Sequence, residues 1–160
     1  MTQTTQKHRK LLQSGAFSMR FIKIKRQQTI YKYLEEFNDC FPHLKEKVDL
    51  FEFSKKLSEK AECYIVFFQK KAIGLTFFYA NDRDNGCGYI TLIGVKRDQR
   101  SNGTGKKLLN FSIDKMIEKG MKKAKLEVDK DNLNAQGFYE HLGFKKCYEM
   151  PKSFYMEKEI

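Results

Sequence analysis

The sequence predicts an α/β (α+β) fold, with a mixed, mostly antiparallel central sheet of about seven strands flanked by about four helices. Three observations carry that expectation. The chain has 160 residues, of which 41% are hydrophobic, enough for one ordinary core and not two. Runs of β-branched and aromatic residues crowd its middle and its C-terminal end. Between them stand segments whose apolar residues recur every three or four positions.

Residues 1–18 are polar and without period, so they read as a loose N-terminal arm, leaving 19–160 as a single domain. Phe21, Ile22 and Ile24 suggest a first strand. Ile30, Tyr33, Leu34, Phe37 and Phe41 then recur at helical spacing up to Pro42, and a second helix is expected around Leu50, Phe53 and Leu57. Residues 63–69 and 73–80 read as a hairpin turned at Lys70 and Lys71. After turn chemistry over 81–88, residues 89–95 complete an antiparallel meander. Leu109, Ile113, Met116 and Ile117 mark one face of a helix that opens near Thr104 and closes at Gly120. Leu126 and Val128 sit in a fifth strand. Ala135, Phe138, Tyr139 and Leu142 share the side of a helix over 132–142 that Gly143 stops, and residues 144–149 and 154–160 form two last strands around Pro151.

Composition removes several function classes. The longest apolar runs fall far short of the ~20 residues that a membrane helix needs, and residues 1–18 lack a signal-peptide pattern, so a cytoplasmic protein is expected. Four scattered cysteines and three histidines without ligand spacing indicate neither a disulfide framework nor a metal site. The net charge of +11 invites a nucleic-acid reading, yet it divides as +5 over residues 1–50, +3 over 51–100 and +3 over 101–160. Charge spread in this way describes a solvated surface better than a phosphate-tracking stripe, and nucleic acid is disfavoured as a partner.

The most informative stretch is 95–105, V-K-R-D-Q-R-S-N-G-T-G, which runs from a strand end into an amphipathic helix. Glycines at 103 and 105 would let main chain approach a phosphate closely, and the unpaired N–H groups of the following helix would favour the anion. Arg100 and Lys106 add formal charge. A P-loop is excluded, because Arg100 stands where its first glycine belongs and Lys107 where Ser or Thr must hold magnesium. A dinucleotide fingerprint is excluded too, since Leu108 stands at the third glycine.

Arg100, Gly103 and Gly105 fill the pattern Q/R-x-x-G-x-G/A, which resembles the coenzyme A pyrophosphate loop of the GCN5-related N-acetyltransferases. Arg97 stands where that family often has Pro, and Ser101 where it often has Gly, without loss of a backbone donor. Downstream, Asn132, Ala135, Phe138, Tyr139, Gly143 and Phe144 spell N-x-x-A-x-x-F-Y-x-x-x-G-F, similar to the family's second signature at the usual distance. The resemblance runs from about Arg20 to the end.

The resemblance implies the acyl-CoA N-acyltransferase fold and direct transfer of acetyl from acetyl-CoA to a primary amine of a small molecule or protein, without an acyl-enzyme intermediate or a metal. The absence of a G-x-S-x-G elbow agrees. It assigns cofactor contacts to the loop residues Arg100, Ser101, Asn102, Gly103, Thr104, Gly105 and Lys106, and to the backbone of Ile93, Gly94 and Val95, where the fourth strand splays from the fifth. Gly94 inside a strand suggests a bulge or close approach, or equally a gap opposite a large core residue. Tyr139 matches the tyrosine that faces the CoA sulfur as general acid, though an apolar helix position explains it as well. Asn132 matches a pantetheine contact and equally a helix cap.

A general base is harder to find, because residues 89–95 contain no carboxylate. Glu127 and Asp129 are nearest, with Glu35 and Glu36 behind them, and Glu127 is the candidate taken forward. The acceptor walls implied by the family, roughly residues 27–60 and 148–154, mix charge signs, which disfavours a polycationic acceptor. The fold family allows a homodimer, and a non-catalytic CoA-binding or nucleic-acid-binding module on the same fold is the rival reading.

Overall fold

Seven strands form one sheet in the order β1-β2-β3-β4-β5-β7-β6. The computed structural model describes residues 18–160; all but Ser18 of the expected N-terminal arm lies outside them. The strands are β1 (Arg20–Ile24), β2 (Glu62–Phe68), β3 (Lys71–Asp82), β4 (Cys87–Val95), β5 (Lys123–Asp129), β6 (Lys145–Glu149) and β7 (Ser153–Glu159). Every neighbouring pair is antiparallel except β4 with β5. That parallel pair requires a crossover, which the long helix between them supplies.

The helices are α1 (Gln27–Glu36), the single turn α2 (Leu44–Lys47), α3 (Leu50–Lys60), α4 (Thr104–Glu118) and α5 (Leu133–His141). They cover the sheet from two sides. On one side Ile30, Leu34 and Phe37 of the α1 region and Leu57 of α3 pack on Ile65, Leu75, Phe77 and Leu92. On the other, Leu109, Met116 and Tyr139 pack on Phe78, Ile90, Leu126 and Met156. Each fully buried side chain of this size contributes roughly 1.5–3 kcal/mol of transfer free energy.

The expected element order holds, with corrections at its joints. The first helix ends at Glu36 instead of running to Phe41. Residues Asn38–Cys40 tighten into a 3-10 turn, and Phe41 leaves the helical region at φ −133°, as the ring of Pro42 demands of the residue before it. The β2–β3 hairpin turns at Gln69 and Lys70, both at positive φ, while Lys71 already pairs with Phe68. Ile117 lies off the buried stripe of α4 and is 49% exposed. Gly120 and Gly143 adopt φ of +86° and +94° and close α4 and α5 as expected.

Candidate active site

The centre of β4 is irregular. Phe77 faces Leu92 across the ladder and Phe78 faces Ile90, so Thr91 is an extra residue, a β-bulge. The bulge reverses the strand's alternation: Ile90 belongs to the α4 side and Leu92, two residues on, to the α1 side. Gly94 is therefore not the bulge. It pairs regularly with Leu75, and a Cβ there would lie 2.7 Å from Phe41 Cζ and 3.1 Å from Cys40 Cβ. The bulge expected at Gly94 thus falls at Thr91, and Gly94 leaves a gap that the large apolar side chain of Phe41 occupies.

Beyond the bulge β4 also parts from β5. Their parallel register runs from Cys87 with Lys123 to Ile90 with Leu126 and stops, while β5 continues along β7 to Asp129. Lys96 N–H donates to Ile73 on β3, so by alternation Ile93 and Val95 turn their backbone groups away from β3 and into the opening. Gly94 turns its own toward β3. Val95 O is already occupied, accepting from Arg100 Nε at 2.9 Å and from Cys40 Sγ at 3.5 Å.

That arginine bond fixes the loop that follows. After the 3-10 turn Arg97–Gln99, Ser101 and Gly103 both take positive φ, +68° and +75°, before α4 begins. Gly103 is the N-cap residue and offers no side-chain cap; a Cβ there would meet nothing within 4 Å. The first intrahelical bond at this end is Lys107 N–H to Gly103 O, so the N–H groups of Thr104, Gly105 and Lys106 have no helical acceptor. Ser101, Asn102, Gly103 and Lys106 are exposed and Thr104 is buried. Together these features make an anion cradle at the positive end of a 15-residue helix.

The second motif stands beside the first. A Cβ at Gly105 would lie 3.5 Å from Phe138 Cζ, placing α5 along the mouth of the loop. Tyr139 is buried, its ring edge-on to Phe138 and Phe144, and its hydroxyl has no hydrogen-bond partner among the described residues. Burial pushes its phenol up to about 12. Asn132 caps α5 by accepting from Ala135 N–H at 3.1 Å. Gln136, which sequence reasoning missed, donates from Nε2 to Asp129 O and Lys130 O at 2.9 and 3.0 Å and so fixes the turn leading to Asn132. Its only sequence signal was a polar residue one position after Ala135.

Glu127 lies on β5 one residue past the end of the β4 pairing. Its neighbours Leu126 and Val128 enter the core on the α4 side, so Glu127 faces the opposite side of the sheet from Tyr139. It accepts a 2.6 Å hydrogen bond from Ser153 Oγ. The other carboxylates considered are ion-paired: Asp129 with Lys47, Glu35 with Lys45 and Glu36 with Lys96. Tyr89 on the same face is held well above the ordinary phenol range, by burial first and by the Glu127 charge second. No helix among the described residues is long and apolar enough to cross a membrane.

The chain is 39% identical over 57 residues to N-alpha-acetyltransferase 30 of Schizosaccharomyces pombe, a match covering 36% of this chain and 38% of that protein. It is 30% identical over 83 residues to N-alpha-acetyltransferase MAK3 of Arabidopsis thaliana, covering 51% and 44%. The matched stretches thus span less than half of either relative. In fold it is similar to the PaiA N-acetyltransferase of Thermoplasma acidophilum, solved in complex with coenzyme A, at a TM-score of 0.72 and 18% identity over 90% of this chain and 100% of that one. The model of the Acetyltransferase (GNAT) family matches residues 30–144, and this chain belongs to that family.

Proposed function

We propose that the protein is an acetyl-CoA-dependent N-acetyltransferase that acetylates a primary amine of a small molecule or polypeptide. One observation carries the reading: an uncapped helix N-terminus behind a left-handed Gly103 opens beside the unpaired edge of β4. The residues fit the cofactor, because an anion cradle and a free strand edge meet where a diphosphate and its amide-bearing arm would each need them.

In this reading the N–H groups of Thr104, Gly105 and Lys106 hold the diphosphate, with Ser101, Asn102 and Gly103 shaping the loop. Arg100 acts chiefly as a strap from loop to strand, through its bond to Val95 O. Ile93 and the Val95 N–H offer backbone groups to the pantetheine arm, and Gly94 admits Phe41 against the strand. The Asn132 side-chain amide remains for the arm while its oxygen caps α5. Bound acetyl-CoA supplies an activated acyl group and a thiolate leaving group. Tyr139, protonated throughout the physiological range, donates a hydrogen bond toward the departing sulfur.

Glu127 takes up the amine proton from the other face of the sheet, directly or through water. An alkyl amine with pKa ~10.4 is neutral about once in ~2,500 molecules at pH 7, a cost of roughly 4–5 kcal/mol, whereas an α-amine near ~7.7–8.0 costs about 1 kcal/mol. A single carboxylate already bonded to Ser153 is better matched to the second demand, and both relatives above are called N-alpha-acetyltransferases. Calorimetry with acetyl-CoA, followed by thiol release over a panel of peptide N-termini, lysine analogues and small amines, tests the proposal. Binding with turnover supports it. No heat with acetyl-CoA, or salt-sensitive nucleic-acid binding without turnover on any amine, would sink it.

A further inference from the structure

A second concavity adjoins the β4 bulge on the α3 side of the sheet. It is an open cleft of about 660 Å³, within the size range of small-molecule sites, and Thr91 forms one wall. Three lysines line it: Lys56 and Lys60, one turn apart on α3, and Lys125 on β5. Among the described residues none of the three forms an ion pair with a carboxylate. Lys56 stands over the ring of Tyr79, 5.8 Å from its centroid, and Lys125 over that of Tyr155 at 5.6 Å.

Of the twenty other described lysines, nine have a carboxylate within ion-pair distance: Lys23, Lys45, Lys47, Lys96, Lys115, Lys119, Lys123, Lys130 and Lys146. The cleft's own acid, Asp82, faces Asn85, accepting from its backbone N–H at 3.1 Å and from its side-chain amide. The Tyr79 hydroxyl, also on the cleft wall, is buried without a hydrogen-bond partner. An unpaired hydroxyl beside three ammonium groups and the single carboxylate of Asp82 leaves the cleft lining at a net charge of +2, which favours an oxygen anion.

We infer that this cleft binds a carboxylate or phosphate carried by the acceptor, so that the preferred substrate is an anionic amine. The inference rests on the acetyl-transfer reading above and deepens it. Both features meet on one strand: Thr91 borders the cleft, and the opening between β4 and β5 begins beside it. An acceptor anchored by its anion among the lysines then has its amine directed toward that opening. Glu127 projects from the same side of the sheet as Lys125, two residues along β5.

The test uses matched acceptor pairs under steady-state conditions: β-alanine with propylamine, O-phosphoethanolamine with ethanolamine, and a short peptide with Asp or Lys at its second position. The three pairs separate a free carboxylate, a phosphate and an acidic side chain as the source of the anion. The anionic member of at least one pair should show a KM ten-fold or more below its partner. The gap should shrink at least five-fold in Lys56→Ala/Lys125→Ala, with the KM for acetyl-CoA unchanged. Pairs agreeing within two-fold, a preference for the neutral or cationic member, or equal losses for both members in the variant would overturn the inference. If acetyl-CoA binds but no amine turns over, the acetyl-transfer reading fails separately. NMR titration with inorganic phosphate then decides the cleft: shifts at Lys60, Tyr79 and Thr91, all retained in the variant, that vanish there support it, and their absence in the native protein refutes it.

Discussion

A methyl group at Gly94 would lie 2.7 Å from the ring of Phe41, so the segment after α1 rests directly on the strand that borders the opening. Phe41 is held there by the 3-10 turn Asn38–Cys40 and by Pro42 behind it. Gly94→Ala should therefore push that segment off the sheet and destabilise the fold by about 1–3 kcal/mol, the usual cost of overpacking. Phe41→Ala in the same chain should return a large part of the loss. Denaturant midpoints for the two single variants and the double variant measure the coupling, and simple additivity would refute the contact.

Tyr139 carries a second prediction. Burial raises its phenol to about 12, so its donor form is complete below that pH and is lost only above it. The native kcat profile should then show no fall between pH 7 and 10 that belongs to this group. Tyr139→Phe should lower kcat on the order of 100-fold while leaving the KM for acetyl-CoA within about two-fold. The variant should keep the shape of the native profile. Unchanged kcat with saturating acceptor would remove Tyr139 from the chemistry.

Much of this arrangement was legible in the residues themselves. Gly103 and Gly105 announce a loop where main chain must stay open, and the structure puts Gly103 in the left-handed region with empty space around it. The apolar spacing of α4 and α5 and the closing Gly120 and Gly143 were equally plain. The bulge at Thr91 was not, because strand alternation read from sequence assumes an unbroken register, and Ile90 and Leu92 would then share a face. Nor could the sequence tell that Val95 O is taken by Arg100, or that Glu127 is bonded to Ser153, since both contacts depend on how distant segments dock. Ile117 follows Ile113 by four positions and still faces solvent, because the buried stripe of α4 runs through Leu108, Leu109, Ser112 and Met116 and Ile117 falls beyond its edge in the last turn.

Acid sensitivity should trace in part to Glu62. Burial alone would raise its carboxyl, but the ion pairs with Lys23 and Lys119 outweigh that effect and hold it below the ordinary range. A depressed carboxylate contributes stability that is complete above its unfolded pKa of ~4.3 and is lost as pH falls through the folded value. Glu62 joins β1 and β2 to the end of α4, so Glu62→Gln should cost about 1–2 kcal/mol at pH 7. The variant's stability should also decline less than the native protein's between pH 5 and 3. Parallel declines in urea midpoint would assign the acid limb to other groups.

The β2–β3 hairpin offers a gain in stability. Its two turn residues, Gln69 and Lys70, have φ of +48° and +66°, and Phe68 pairs with Lys71 on either side of them. Two positive φ angles in a two-residue loop define a type I′ turn, whose twist suits the strands and whose preferred sequence is Asn-Gly. Here neither residue is glycine, and each side chain crowds its own backbone at a cost of roughly 1 kcal/mol. Gln69→Asn/Lys70→Gly should stabilise the protein by about 1–2 kcal/mol and raise Tm by roughly 2–8 °C. Glycine's greater freedom in the unfolded chain subtracts from the gain without cancelling it. The turn lies at the far end of β2 and β3 from the cleft beside Thr91, so acceptor kinetics should not change. A Tm at or below that of the native protein would show that the strands, and not the turn residues, already set the left-handed geometry.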